Sequence, residues 1–115
     1  MQVDAFLDLL TTKPEQITFD DTIAMIDANY TFTPTAFHNG ELHNEAGQNN
    51  GSCKILFFGL INELGESHTL ACFGKYYRED VLFNPGGDDH QNIRNFMRFG
   101  WERVSFNGEA LSPKH

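Results

Sequence analysis

The sequence predicts an α+β fold that is mainly helical: about five helices with one or two short antiparallel β-hairpins. Three observations predict it. Apolar residues recur at helical spacing over most of the chain, two Asn-Gly pairs mark tight turns between short alternating runs, and the 11 phenylalanines suit helix packing better than a β-sandwich. At 115 residues with 40% hydrophobic content the chain makes one domain with a real core, residues 1–115, and no internal boundary.

Val3, Phe6, Leu7 and Leu10 share one helical face, and Pro14 interrupts that run because proline cannot continue the hydrogen-bond ladder. Thr18 is placed to cap a second helix. Asp20 and Asp21 lie in its first turn, where the helix dipole favours negative charge, and Phe19, Ile23, Ile26 and Tyr30 form the expected buried stripe. From Tyr30 the pattern alternates, Pro34 breaks it, and Asn39-Gly40 signals a two-residue hairpin turn. With that turn, Phe37 opposes Leu42, and His38, Glu41 and His43 share the opposite face.

The polar stretch 44–51 leads to Ser52, the expected cap of a third helix over 53–64 that Gly65 would end. That helix is apolar on nearly every side, which predicts a central position, although a buried strand over 55–58 fits the same residues. Ser67 is expected to cap a fourth helix facing the core through Leu70, Phe73, Tyr77 and Val81. After the turn at 84–87, Asp88 or Asp89 is expected to cap a fifth, with Ile93, Phe96, Met97 and Gly100 inward. On its wheel His90, Arg94 and Trp101 flank the apolar stripe. Residues 104–111 read as a second Asn-Gly hairpin.

With 8 basic and 16 acidic residues the net charge is −8, so nucleic acid and membrane surfaces are poor partners. No apolar run approaches the roughly 20 residues of a membrane span, and the acids at the N-terminus do not suit a secretory leader. Two cysteines without a CxxC spacing predict reduced thiols.

Candidate chemistry gathers in four places, each with a plain structural alternative. The run Gly47–Lys54 precedes a helix whose N-terminus favours an anion, with Lys54 adding charge and Cys53 in a turn that lowers thiol pKa. The alternative is a capped helix with an inward cysteine. The sharper version makes Cys53 a nucleophile with His38, His43 or His90 as base and Asn39, Asn44 or Asn92 orienting it. His38, Glu41 and His43 have the donor types of a divalent metal site, or form a solvated hairpin face. Arg78 and Arg94 suit a carboxylate or phosphate ligand, or neutralise neighbouring acids.

Several strings resemble the HopJ type III effector family: Ile26-Asp-Ala-Asn-Tyr30, Phe37-His-Asn39-Gly40, Gly47-Gln-Asn-Asn-Gly-Ser-Cys53-Lys54, Leu70-Ala-Cys-Phe-Gly74-Lys-Tyr-Tyr77-Arg78, and Asp89-His90-Gln-Asn92-Ile-Arg94-Asn-Phe96 with Gly100-Trp101. The resemblance implies a small bacterial protein without an assigned reaction, cofactor or catalytic residue. Its name implies export through a type III needle toward a host protein. Residues 3–10 read as an amphipathic helix where injected effectors carry a disordered leader, so cytoplasmic residence is the expectation.

The resulting expectation is a cleft for a small polar or anionic ligand, formed by Asn39, Cys53, Lys54, Tyr77, Arg78, His90, Asn92, Arg94 and Trp101, with no cofactor. The alternatives are a small enzyme dependent on Cys53 or a metal, and an effector that engages a host protein.

Overall fold

A computed structural model describes residues 1–114. Helix α1 (Val3–Thr12) ends before a 3-10 turn at Pro14–Gln16, and α2 (Phe19–Asn29) starts where Thr18 Oγ1 accepts the Asp21 N–H at 3.0 Å. That cap is the one the sequence predicts. Of the expected stripe, Ile26 and Tyr30 are buried, whereas Phe19 and Ile23 are half-buried at the edge of the core and Thr22 and Met25 take the inward places beside Ile26. Thr22 is tolerated inside because its hydroxyl donates to the Cys72 carbonyl at 2.8 Å.

Strands β1 (Tyr30–Phe32), β2 (Phe37–Asn39) and β3 (Leu42–Asn44) follow. The β2–β3 hairpin forms, but with Gly40-Glu41 as the loop rather than Asn39-Gly40. His38 therefore faces His43 directly, and Phe37 opposes Asn44 instead of Leu42. Gly40 takes the left-handed conformation at φ +64°, and a Cβ there would lie 2.4 Å from the Phe99 ring. The Phe99 ring packs so closely that only glycine fits this loop position.

Helix α3 (Asn50–Ile61) crosses the centre with Cys53, Ile55, Leu56, Phe57, Phe58 and Gly59 all buried, so the strand alternative falls. It starts three residues earlier than expected, after Asn49, and Ser52 lies inside it. Helix α4 (Glu66–Ala71) starts after Gly65 rather than Ser67. The long fourth helix of the sequence reading is broken at Gly74 (φ +63°), where a Cβ would sit 2.6 Å from the Phe19 nitrogen. Beyond the break, Tyr76–Val81 forms a π-helical turn, with the Leu82 N–H donating to the Tyr77 carbonyl five residues back.

Helix α5 (Gln91–Phe99) follows His90, so neither Asp88 nor Asp89 caps it. Ile93 and Phe96 face the core as predicted. Met97 does not, and Asn92 takes an inward place instead.

After a 3-10 turn at Trp101–Arg103, strands β4 (Val104–Phe106) and β5 (Leu111–Pro113) do not pair with each other. The predicted second hairpin is replaced by a split: β4 joins β2 antiparallel to complete a β3-β2-β4 sheet, and β5 pairs with β1. The core runs continuously from Phe6 and Leu10 through α3 to Phe37, Phe96 and Leu111, with edge-on ring contacts such as Phe6–Phe58 at 5.9 Å. No helix among the described residues is long and apolar enough to cross a membrane.

Candidate functional site

A cleft of about 520 Å³ opens where the first turns of α3 and α5 meet. Asn49, Gly51 and Ser52 contribute one wall, and His90, Gln91 and Asn92 another. Phe19, Leu42, Phe73 and Tyr76 supply the apolar remainder. Both helices are entered from a residue in the left-handed conformation, Asn49 (φ 51°, ψ 48°) and His90 (φ 49°, ψ 51°), and neither has a side-chain cap.

The reason for the missing caps lies in where those side chains go. Asn49 Nδ2 turns back to donate to Asn44 Oδ1 at 2.7 Å. His90 Nε2 lies 3.1 Å from Asp80 Oδ2, and its ring stacks on Tyr76 with centroids 5.0 Å apart. Asp89, one of the two expected caps, is held by Arg94. The intrahelical ladders begin with Cys53 N–H to the Asn49 carbonyl and Arg94 N–H to the His90 carbonyl. The N–H groups of Asn50, Gly51 and Ser52, and those of Gln91, Asn92 and Ile93, therefore lack protein acceptors among the described residues. Free first-turn N–H groups are a source of anion affinity.

An asparagine network holds the two helix starts in register. Asn44 and Asn92 exchange amide hydrogen bonds, Asn92 Nδ2 donating to Asn44 Oδ1 at 3.0 Å and Asn44 Nδ2 to Asn92 Oδ1 at 3.2 Å. Asn39 Nδ2 donates to the carbonyl (2.8 Å) and Oδ1 (3.0 Å) of Asn92. Asn39, Asn44 and Asn92 are all buried, and Asn39 Oδ1 is the one buried side-chain acceptor without a partner among the described residues. The network ties the β2–β3 hairpin to α5 and, through Asn49, to α3.

The nine predicted residues divide sharply. His90 and Asn92 line the cleft, and Asn39 supports it from behind through Asn92. The other six are outside it. Cys53 is buried with Sγ directed at the Thr35 carbonyl (3.6 Å), and burial pushes its thiol pKa up, the reverse of an activated nucleophile. Lys54 pairs with Asp27 at 2.8 Å beside the Phe32 ring. Tyr77 packs half-buried against the core, while its neighbour Tyr76 reaches the cleft.

Arg78 donates to the Pro14 and Ile17 carbonyls at 3.3 and 3.0 Å and ties down the 3-10 turn after α1. Arg94 donates to the carbonyls of Asp89 (2.6 Å) and Asn84 (2.9 Å) and to the Asp89 carboxylate, whose pKa it lowers mainly through that hydrogen bond. Trp101 donates from Nε1 to the Leu64 carbonyl at 2.9 Å and stands edge-on to Phe96. Each of these side chains is spent on the fold.

Phe19 and Leu42 were missed as members of the site; Asn44 was weighed only as an orienting group for a histidine, and Tyr76 only within the Tyr76–Arg78 segment expected at the cleft. Asn49 and Ser52 fall within the Gly47–Lys54 run that the sequence singles out. Phe19 and Leu42 carry no local signal, since they read only as core. The trio His38, Glu41 and His43, weighed as an alternative to a solvated hairpin face, does not assemble: Glu41 belongs to the hairpin loop, and no group of three or more His, Cys, Asp or Glu among the described residues is arranged to hold a metal.

The sequence pattern of the family described as HopJ type III effector protein matches residues 3–111. The chain belongs to the HopJ family. A solved structure described as "Crystal structure of unknown function protein VPA0580" is 56% identical, with a TM-score of 0.98, covering 99% of this chain and 95% of that one. No curated protein matches the chain.

Proposed function

We propose that this HopJ protein is a small-ligand-binding module. Its cleft takes the anionic end of a compact ligand against the first turns of α3 and α5, and the ligand's apolar body rests on Phe19, Leu42 and Tyr76. The observation that carries this reading is the meeting of two uncapped helix N-termini in one cleft. One such terminus attracts an anion, and two with convergent N–H groups add donors without a compensating carboxylate in the first turns. Asp80 and Asp89 beside His90 set a limit on the charge the cleft accepts, which favours a single carboxylate or phosphate over a polyanion.

The test uses inorganic phosphate and benzoate as probes, read by amide shifts of Gly51, Ser52, Gln91 and Asn92 and by the melting temperature. Benzoate, which has both an anion and an apolar body, is expected to shift all four amides and raise the melting temperature. Ser52→Glu places a carboxylate in the third position of α3, which stabilises the helix while occupying its N–H groups. It is expected to fold at least as stably and to lose the response to both probes. Unmoved amides in the wild type, or an undiminished response in Ser52→Glu, sinks the proposal.

A second reading, engagement of another protein, has one observation in its favour. Exposed Leu82 and Met97 line one surface depression with Pro85, and Phe83, next along the chain from Leu82, is 80% exposed. An apolar cluster of that kind suits a contact surface.

A further inference from the structure

The β2–β3 register that displaced Glu41 brings two imidazoles together on the outer face of the hairpin. His38 Nε2 and His43 Nδ1 stand 3.0 Å apart, with ring centroids separated by 4.3 Å. The far nitrogen of the second ring, His43 Nε2, is 3.0 Å from Glu45 Oε1. We propose that His38 and His43 form a two-imidazole clamp for a divalent transition metal of the nickel or copper kind, with Glu45 as the positioning residue for His43.

The tautomer follows from the carboxylate. Glu45 accepts a hydrogen bond, so His43 Nε2 carries the proton and Nδ1 presents its lone pair to His38. A carboxylate on the remote nitrogen of a metal-binding histidine fixes the ring and raises its basicity. In the metal-free hairpin, a proton on His38 Nε2 fills the gap. A metal ion binds when the neutral His38 ring carries its proton on Nδ1 instead, a change of tautomer relayed by solvent with no net proton released, so that His38 Nε2 and His43 Nδ1 both present lone pairs to the ion.

The spacing also selects among metals. Two nitrogens 3.0 Å apart, each about 2.1 Å from an ion, subtend an angle of about 90°. That is the angle between neighbouring ligands in tetragonal copper(II) and nickel(II) sites, whereas tetrahedral zinc would need a separation of about 3.4 Å. Water fills the remaining positions, since the face is open to solvent: the His43 side chain is 43% exposed. The rings are held opposite each other by strand pairing, so little ordering is needed on binding. The net charge of −8 raises the local concentration of cations.

The test titrates untagged full-length protein with Cu2+ at neutral pH, read by electron paramagnetic resonance and calorimetry. The wild type is expected to bind one equivalent with hyperfine splitting from two equatorial nitrogens. Glu45→Gln weakens this binding about tenfold, while His38→Ala and His43→Ala weaken it further and leave at most one coordinated nitrogen. His90→Ala is expected to bind as the wild type does. Zn2+ is expected to compete poorly. Wild-type protein without the two-nitrogen signal, or the same signal in His38→Ala and His43→Ala, overturns the clamp.

Discussion

Asn92 shows how a single side chain organises the candidate site. It was predicted to touch a ligand, and it does line the cleft, but most of its polar capacity goes to Asn39 and Asn44. Replacing it with alanine removes three side-chain hydrogen bonds, one with Asn39 and two with Asn44, while Asn39 keeps the residue 92 carbonyl and Asn44 keeps Asn49. A buried hydrogen bond contributes about 0.5–1.5 kcal/mol net, so losing three is expected to lower stability by roughly 1.5–4 kcal/mol in urea unfolding. A loss below about 1 kcal/mol would mean the network is dispensable. Arg78, Arg94 and Trp101 teach a related lesson. Their donors look free in the sequence, yet each finds a backbone carbonyl, nearby for Arg94 and far along the chain for Arg78 and Trp101. Residue type announces a hydrogen-bonding capacity and does not reveal where it is used.

At the scale of elements, α1, the Thr18 cap and the central position of α3 were legible because local periodicity and capping chemistry decide them. The errors occur where a neighbour overrides local preference. The π-turn at Tyr76–Val81 exists because the helix must stop at Gly74, whose α-carbon lies against the backbone of Thr18 and Phe19. Gly74→Ala combines a left-handed backbone with a Cβ 2.6 Å from the Phe19 nitrogen. It is expected to cost at least about 2 kcal/mol, seen as a lowered melting temperature. The same change displaces Tyr76 from the cleft wall, so the benzoate response should fall with it. A variant as stable as the wild type would show that the backbone contact is loose. The cap at α5 failed for a comparable reason: Asp89 is local enough to cap, but Arg94 claims its carboxylate.

For the whole molecule, both thiols sit inside the core and give stability a defined dependence on alkaline pH. Burial pushes Cys72 from its ordinary 9.0 to about 12, and raises Cys53 in the same direction. Between those values the unfolded chain has released a thiol proton that the folded chain still holds. Unfolding therefore becomes easier as pH rises. Stability is expected to be intact below pH 9 and to fall by up to about 1.4 kcal/mol per pH unit per thiol above it. Urea unfolding from pH 8 to 11 checks this, with Cys72→Ala showing a shallower decline. A wild-type curve no steeper than that of Cys72→Ala would remove the thiol from the explanation.

The sequence by itself determined the class of fold, the positions of most helices, the first hairpin and the family, since helical periodicity, turn residues and family strings are local properties of the chain. It also marked the Gly47–Lys54 run as leading into a helix start. Only the tertiary structure decided that α5 begins beside it, that β4 and β5 part to different sheets, and that Asn39, Asn44 and Asn92 close on one another. Those pairings join residues some 50 positions apart, as in the Asn39–Asn92 bond. They are chosen by packing and hydrogen-bond satisfaction in the assembled core, which no window of sequence contains.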